Sequence, residues 1–254
     1  MSEQQRRLML QGAVNVRDIG GYSTQGGQLT RSGVFLRADN LDRLTDADQQ
    51  MLLDYGVRRI IDLRSLPELQ NFPDVFAQSP HVIYQHLPLL EDKPQMAFVE
   101  AMPSHYEVYV HLLDQCQPQI RAVLETLATA DAACTLYHCT GGKDRTGVIS
   151  ALLLGLAGVD AVTIAQDYAL TGDYLAPRVA QWRHRAVDAG EDMERFDRLM
   201  LTNPDVMRRT LVYLHEQYGS IPDYVKAIGV ADSAIDQLRN RFVGGDEEQL
   251  FETI

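Results

Sequence analysis

The residue types able to do covalent chemistry in this 254-residue chain are concentrated between Tyr137 and Gly147, which read Tyr-His-Cys-Thr-Gly-Gly-Lys-Asp-Arg-Thr-Gly. Cys139 supplies a thiol whose anion is a strong nucleophile, but a free cysteine titrates near pH ~8.5, so neutral-pH work needs surroundings that favour the thiolate. Gly141 and Gly142 allow successive backbone N–H groups to turn toward one point. A helix opening just beyond them would add its unpaired amides and the positive end of its dipole. Such donors stabilise a substrate phosphate as well as a thiolate. Thr140, Gly141, Gly142, Lys143, Thr146 and Gly147 are therefore read as a phosphate cradle around a nucleophile. Arg145 brings a planar fork that grips two phosphate oxygens and follows them into a transition state, which a lysine does less well. The Thr146 hydroxyl is suited to donate to the sulfur and ease its departure from a phosphocysteine.

Two elements must hold these residues in place. Cys134 to His138 has the content of a buried strand, and Val148-Ile149-Ser150-Ala151-Leu152-Leu153-Leu154 is apolar nearly all round, as in a helix packed against a sheet. That places Cys139 at a strand-to-helix turn. Rival loops fail on spacing: Tyr137 stands where a Walker loop needs its first glycine, Asp144 follows the lysine, and a Cys-x-x-Cys pair is absent.

Cys-x5-Arg followed by Thr-Gly resembles the signature loop of the cysteine-dependent protein tyrosine phosphatases. The fuller run from His138 to Gly147 is similar to a bacterial group of tyrosine and lipid phosphatases that resemble atypical dual-specificity enzymes. Asn15 to Tyr22, Ile61 to Ser65, Asp167 to Leu175 and Tyr218 to Pro222 agree with that group, so the resemblance covers most of the chain. It implies an α/β fold of dual-specificity type, with a central sheet of four or five strands flanked by helices and extended by extra C-terminal helices. It also implies hydrolysis of phosphate monoesters through a phosphocysteine. Phosphotyrosine is the expected substrate, with phosphoserine, phosphothreonine or phosphoinositides besides, and no cofactor is expected. The general acid is left between two residues. Asp92 lies in the loop that supplies it in dual-specificity enzymes, whereas Asp144 sits inside the signature loop, where some lipid-phosphatase-like relatives are proposed to carry it. A reading of another class, a non-catalytic module that binds phosphoproteins or phosphoinositides, uses the same loop without turnover.

Supporting residues are expected at Arg17, Asp18, Asp62, Arg64 and His138. Arg17 and Asp18 read either as one ion pair pinning a loop or as substrate contacts. Asp62 and Arg64 end a strand-like run, Val57 to Leu63, and Asp62 is expected to orient Arg145 or a backbone amide, or to be a strand-end turn residue. His138 either holds the loop or, by strand alternation, points away from the sulfur. In the C-terminal half, Arg178, Trp182 and Arg185 share a helix face, as a solvated stripe or as contacts to a phosphorylated group.

A 45% hydrophobic content supports a substantial core, and no Pro-, Gly- and Ser-rich linker divides the chain, so residues 1–254 read as a single phosphatase domain. A net charge of −12 argues against a nucleic-acid partner and against attraction to anionic membranes. The phosphorylated substrate, and inorganic phosphate in the loop, are the expected partners. Cys116 and Cys134 are read as packing residues, and three irregularly spaced cysteines make no disulfide framework. The seven histidines have no metal-ligand spacing, so no metal is expected. The first ten residues lack the apolar core of a signal peptide, and the longest apolar stretch, Val148 to Val159, is too short to span a bilayer. A cytoplasmic protein without membrane insertion is expected.

Further strands are predicted around 34–38 and 81–87, and helices open at Thr45, Ser104 and Pro118. From Asp160 onward the pattern is helical through Asp173–Ala189, Pro204–Tyr218 and Asp232–Phe242, forming an extension over about 160–254 that packs on the core and lids the pocket.

Overall fold

The structure, a computed structural model, describes residues 3–129 and 133–243. The last part of the expected C-terminal extension, beyond residue 243, lies outside the described residues. A five-stranded sheet runs in the order β1-β2-β5-β3-β4. Strands β2 (Phe35–Ala38), β3 (Val57–Asp62), β4 (Ile83–His86) and β5 (Cys134–His138) are parallel, and β1 (Arg17–Asp18) lies antiparallel to β2. Short runs of Val, Ile, Leu and aromatic residues buried on both faces suit such central parallel strands.

Register fixes where the site forms. Ala38 and Asp62 both pair with His138, so β2, β5 and β3 end at one level and the signature loop emerges from the middle strand. Ligands gather at the carboxyl ends of strands in open α/β sheets, because the backbone donors of the following loops converge there.

Alternation along the strands splits the core in two. Phe35, Ile61 and Tyr137 face one side, while Leu36, Ile60 and Leu136 face the other. Beyond α1 (Glu3–Arg6), the N-terminal segment covers the second side through Leu8, Ala13 and Val16, together with α2 (Asp46–Asp54). The first is covered by α5 (His105–Gln115), α6 (Gln117–Ala128), α7 (Asp144–Leu156) and the C-terminal helices. Helix α7 is buried along almost its whole length, as its nearly all-apolar sequence beyond Gly147 requires. Short helices α3 (Leu66–Asn71) and α4 (Lys93–Glu100) follow β3 and β4, and α8 (Ala161–Asp188), α9 (Met193–Met200), α10 (Pro204–Tyr218), α11 (Ile221–Ala227) and α12 (Asp232–Phe242) complete the chain.

Two differences from the sequence reading are local. A helix starting near Gly172 is instead the second half of α8, which runs unbroken through Gly172 and Pro177. An internal glycine costs a helix only ~1 kcal/mol, and burial of Ile164, Ala165, Tyr168 and Leu175 along one face outweighs it. Helix α9 was not distinguished from its neighbours; Asp192 caps it by accepting from the amides of Glu194 and Arg195. No helix among the described residues is long and apolar enough to cross a membrane.

Candidate active site

Cys139 follows β5 directly and is 2% exposed, and α7 opens at Asp144. Between them the carbonyls are drawn outward one after another. The Asn40 amide donates to the Thr140 carbonyl at 3.1 Å, and the Asn15 side-chain amide to those of Gly141 and Gly142 at 3.0 and 3.2 Å. Arg37 Nη2 donates to the Gly142 carbonyl at 2.8 Å. In a planar trans peptide the N–H points opposite its carbonyl, so the amides of Gly141, Gly142 and Lys143 are turned inward. Gly142 has φ 62°, and a Cβ there would fall 2.4 Å from the Ala38 carbonyl oxygen, so only glycine fits.

The groups pulling on those carbonyls are themselves pinned by a buried charge network. Arg17 Nε and Arg37 Nη1 reach the two oxygens of Asp167 at 3.1 and 2.8 Å, and the Tyr22 hydroxyl donates to the same carboxylate at 3.0 Å. Arg17 also donates to the Asn15 side-chain oxygen, which orients the Asn15 amide toward the loop. Burial raises the Asp167 carboxyl, but the two guanidiniums outweigh it and bring it to about 2. Arg17 and Asp18 do not pair with each other. Asp18 accepts from the amides of Gly20 and Gly33 and from the Tyr55 hydroxyl, each at 2.6 Å, which ties the β1–β2 connection instead.

A second chain of contacts reaches the loop from β3. Asp62 accepts from the Arg64 amide and guanidinium and from the Tyr84 hydroxyl at 2.6 Å. Arg64 donates to the Asn40 side-chain oxygen at 2.6 Å, and Asn40 holds the Thr140 carbonyl. Asp62 thus serves a backbone amide and Arg64, and makes no contact with Arg145. His138, fully buried, lies 3.0 Å from Asp74 and 3.7 Å from Asp62, on the side of β5 opposite the two buried arginines. Burial alone would lower its pKa; the two carboxylates outweigh burial and raise it above its ordinary value. Asp62, Asp74 and His138 bring three ligand-type atoms within 4.8 Å of one another, but both Asp62 oxygens are already taken by Arg64 and Tyr84.

Arg145 is oriented by Glu68, a residue sequence reasoning missed. Its Nη1 and Nη2 donate to Oε2 and Oε1 at 2.6 and 2.8 Å. Glu68 also accepts from the Ser65 amide and hydroxyl and from the Thr140 hydroxyl, so α3 is tied to the loop. Burial raises the Glu68 carboxyl, but Arg145 and these donors outweigh it and hold it at about 2. A guanidinium has five N–H donors; Glu68 takes one from each end nitrogen and leaves the Nε edge of the fork for another anion. The Ser65-x-x-Glu68 spacing, a capping-box pattern after the β3 motif, was the available signal.

These groups form the floor of a cavity of about 800 Å³ lined by Cys139, Arg145 and Asp144 below and by Leu90, Val108, Leu175, Trp182 and Phe196 above. Asp144 opens into it with 36% of its side chain exposed. Asp92 does not line the cavity; it is exposed and caps α4 by accepting from the Gln95 amide. Lys143 turns its amine toward the end of α9, donating to the Leu199 and Leu201 carbonyls and lying 2.8 Å from His105 Nε2. The Thr146 hydroxyl is buried with no hydrogen-bond partner among the described residues. Of the helix stripe, Trp182 lines the cavity, Arg178 binds the Gly12 carbonyl and faces Asp39, and Arg185 is exposed. Cys116 and Cys134 are buried, and burial raises their thiols to about 11 and about 12, as expected of packing residues.

A family model described as the tyrosine phosphatase family matches residues 8–244. The chain is 36% identical over 215 residues to the tyrosine-protein phosphatase of Nostoc commune, a match covering 82% of this chain and 73% of that one. It is 24% identical over 277 residues to the triple specificity protein phosphatase PtpB of Mycobacterium tuberculosis, covering 92% and 98%. Among solved structures, P. aeruginosa TpbA in complex with pTyr aligns over 84% of this chain and 88% of that one, at 16% identity and a TM-score of 0.35. By the family match along almost the whole described length, and by the Nostoc relative, this chain belongs to the tyrosine phosphatase family.

Proposed function

We propose that the protein hydrolyses phosphate monoesters in two displacements, with phosphotyrosine in a protein as its principal substrate. The observation that carries this reading is the ring of inward-turned amides beside Cys139, with the Nε edge of Arg145 left open above it. The Cys139 thiolate attacks phosphorus, the bond to the leaving oxygen breaks, and Asp144 gives that oxygen its proton. Water then attacks phosphorus, the Asp144 carboxylate takes its proton, and the P–S bond breaks to release phosphate and thiolate. The Thr146 hydroxyl, without another partner, is available to the departing sulfur. Asp144 is preferred to Asp92 as the acid because it lines the cavity floor.

Depth and wall chemistry favour the aryl ester. A phosphate reaching a nearly buried sulfur must be carried on a long side chain, and Leu90, Val108, Leu175 and Phe196 offer apolar surface to its ring. The same loop chemistry extends to phosphoserine, phosphothreonine and phosphoinositides as poorer substrates. Glu100, Glu191 and Asp192 at the cavity wall oppose a polyanionic inositol headgroup. The test compares phosphotyrosyl and phosphoseryl peptides with phosphoinositide vesicles, using Cys139→Ser as the control. Release of phosphate from the phosphotyrosyl peptide by the wild type, abolished in Cys139→Ser, is expected. Phosphotyrosine binding without release by the wild type would instead identify a binding module.

A further inference from the structure

The two oxygens of Asp144 are not equivalent. Oδ1 accepts from the Tyr109 hydroxyl at 2.8 Å, and lies 3.6 Å from Lys143 Nζ and 3.8 Å from His105 Nε2. Among the described residues no donor is placed on Oδ2. Tyr109 is held in turn, its oxygen 2.6 Å from the Tyr168 hydroxyl, and both rings are buried. The Tyr109 proton is spent on Asp144, so the proton between the two phenols comes from Tyr168, and the chain of donors runs one way: Tyr168 to Tyr109 to Asp144. Gly147 of the signature loop makes room for this arrangement, because a Cβ there would lie 3.3 Å from the Tyr168 ring.

We infer that Tyr109, backed by Tyr168, is the positioning residue for the proton donor, fixing Oδ1 of Asp144 so that the transferred proton sits on Oδ2. This rests on the reading of Asp144 as the general acid. A neutral carboxyl carries one O–H, and an oxygen already accepting a hydrogen bond from Tyr109 is the poorer place for it. In the first displacement the Oδ2–H bond breaks, the proton joins the leaving oxygen, which keeps the electron pair of the broken P–O bond, and Asp144 becomes a carboxylate. The Tyr109 hydroxyl is then already aimed at the charge that appears, with the Lys143 amine 3.6 Å away, as electrostatic preorganisation requires. Burial, then the Asp144 charge, push the Tyr109 phenol well above its ordinary value, so it stays a donor throughout. The groups facing Asp144 are Lys143 and Arg145 from its own loop and helix, His105 and Tyr109 from α5, and Tyr168 from α8. Burial raises the Asp144 carboxyl, but Lys143, then His105 and the Tyr109 donor, outweigh it and hold it below its ordinary value.

The experiment measures kcat/KM for a series of aryl phosphates whose phenols span weak to strong acids, in the wild type, Asp144→Asn, Tyr109→Phe and Tyr168→Phe. A strongly acidic phenol leaves without help, so loss of general-acid catalysis falls on the weakly acidic ones. Asp144→Asn should steepen the dependence on phenol acidity. Tyr109→Phe should steepen it in the same direction, losing about 10- to 100-fold on the least acidic phenol and several-fold less on the most acidic. Its basic pH limb should move upward, because the Asp144 anion has lost a donor. A packing defect would scale every ester alike and leave the limb in place. That result for Tyr109→Phe, alongside a steepened Asp144→Asn, overturns the inference while keeping Asp144 as the acid. An unchanged slope in Asp144→Asn overturns the acid assignment and the inference with it. Should Tyr109→Phe not fold, Tyr168→Phe carries the test: a milder steepening supports the inference and an unchanged slope overturns it.

Discussion

Glu68 grips Arg145 end-on, through paired contacts of 2.6 and 2.8 Å, and so sets the plane in which the guanidinium meets a phosphate. Removing the carboxylate leaves the fork free to rotate and removes its link to Thr140. Glu68→Ala is expected to lower kcat on an aryl phosphate about 10- to 100-fold and to weaken vanadate binding in parallel. Glu68→Gln, able to accept but not to pair with the charge, should fall between. The Glu68 carboxyl is held at about 2, below its ordinary 4.5, so the pair stabilises the fold fully above about pH 4.5 and is lost as pH falls through about 2. The acid limb of the activity profile therefore belongs to another group, and it should keep its position in Glu68→Gln.

Asp167 pairs with two fully buried guanidiniums at once. Asp167→Ala strands both and is expected to cost about 3–5 kcal/mol of stability, measured by chemical denaturation. Asn15 and Arg37 then lose the framework that draws the loop carbonyls outward. Any folded fraction should bind vanadate more weakly than the wild type.

Much of this framework was legible in the sequence, because a nucleophile loop needs particular residues at fixed spacing and its flanking strand and helix carry plain apolar patterns. The four parallel strands and the loop between β5 and α7 followed from those signals, whereas the two-residue antiparallel strand β1 did not. What stayed hidden is set by tertiary placement. Arg17 and Asp18, adjacent in sequence, alternate across β1 and so reach opposite partners, Asp167 and the Gly33 amide, rather than each other. Glu68 has only the spacing of a capping residue and Tyr109 only a place within a helix; the approach of α3 and α5 to the loop gives them chemistry.

Asp39 is nearly fully buried and accepts from the amides of Val14 and Asn15. Burial raises its carboxyl from 3.8 to about 6, against the pull of those amides and of Arg178. A raised carboxyl makes the folded state the stronger proton binder, so the wild type gains stability as pH falls from about 6 toward 4. Asp39→Asn cannot titrate. The stability gap between the two should therefore widen in favour of the wild type by up to about 3 kcal/mol between pH ~7 and pH ~4, read from denaturation at several pH values. A gap constant with pH would show that Asp39 is ionised in the folded protein throughout that range.

Lys143 connects the loop to α9 rather than pointing freely at a phosphate. Its buried amine donates to the Leu199 and Leu201 carbonyls, and His105 Nε2, which it faces at 2.8 Å, also lies 3.1 Å from the Leu199 carbonyl. Two cations at that separation are unfavourable, and burial followed by the Lys143 charge keeps the His105 pKa below its ordinary 6.5. Lys143→Met keeps most of the volume and removes the charge. It should therefore move the His105 titration, followed by its ring proton resonances, upward toward 6.5. The same substitution strips two carbonyls at the end of α9 of their donor, which should speed amide exchange across 193–203 while leaving β5 and α7 protected. An unmoved His105 titration with unchanged exchange would mean that the amine does not reside at the end of α9 in solution.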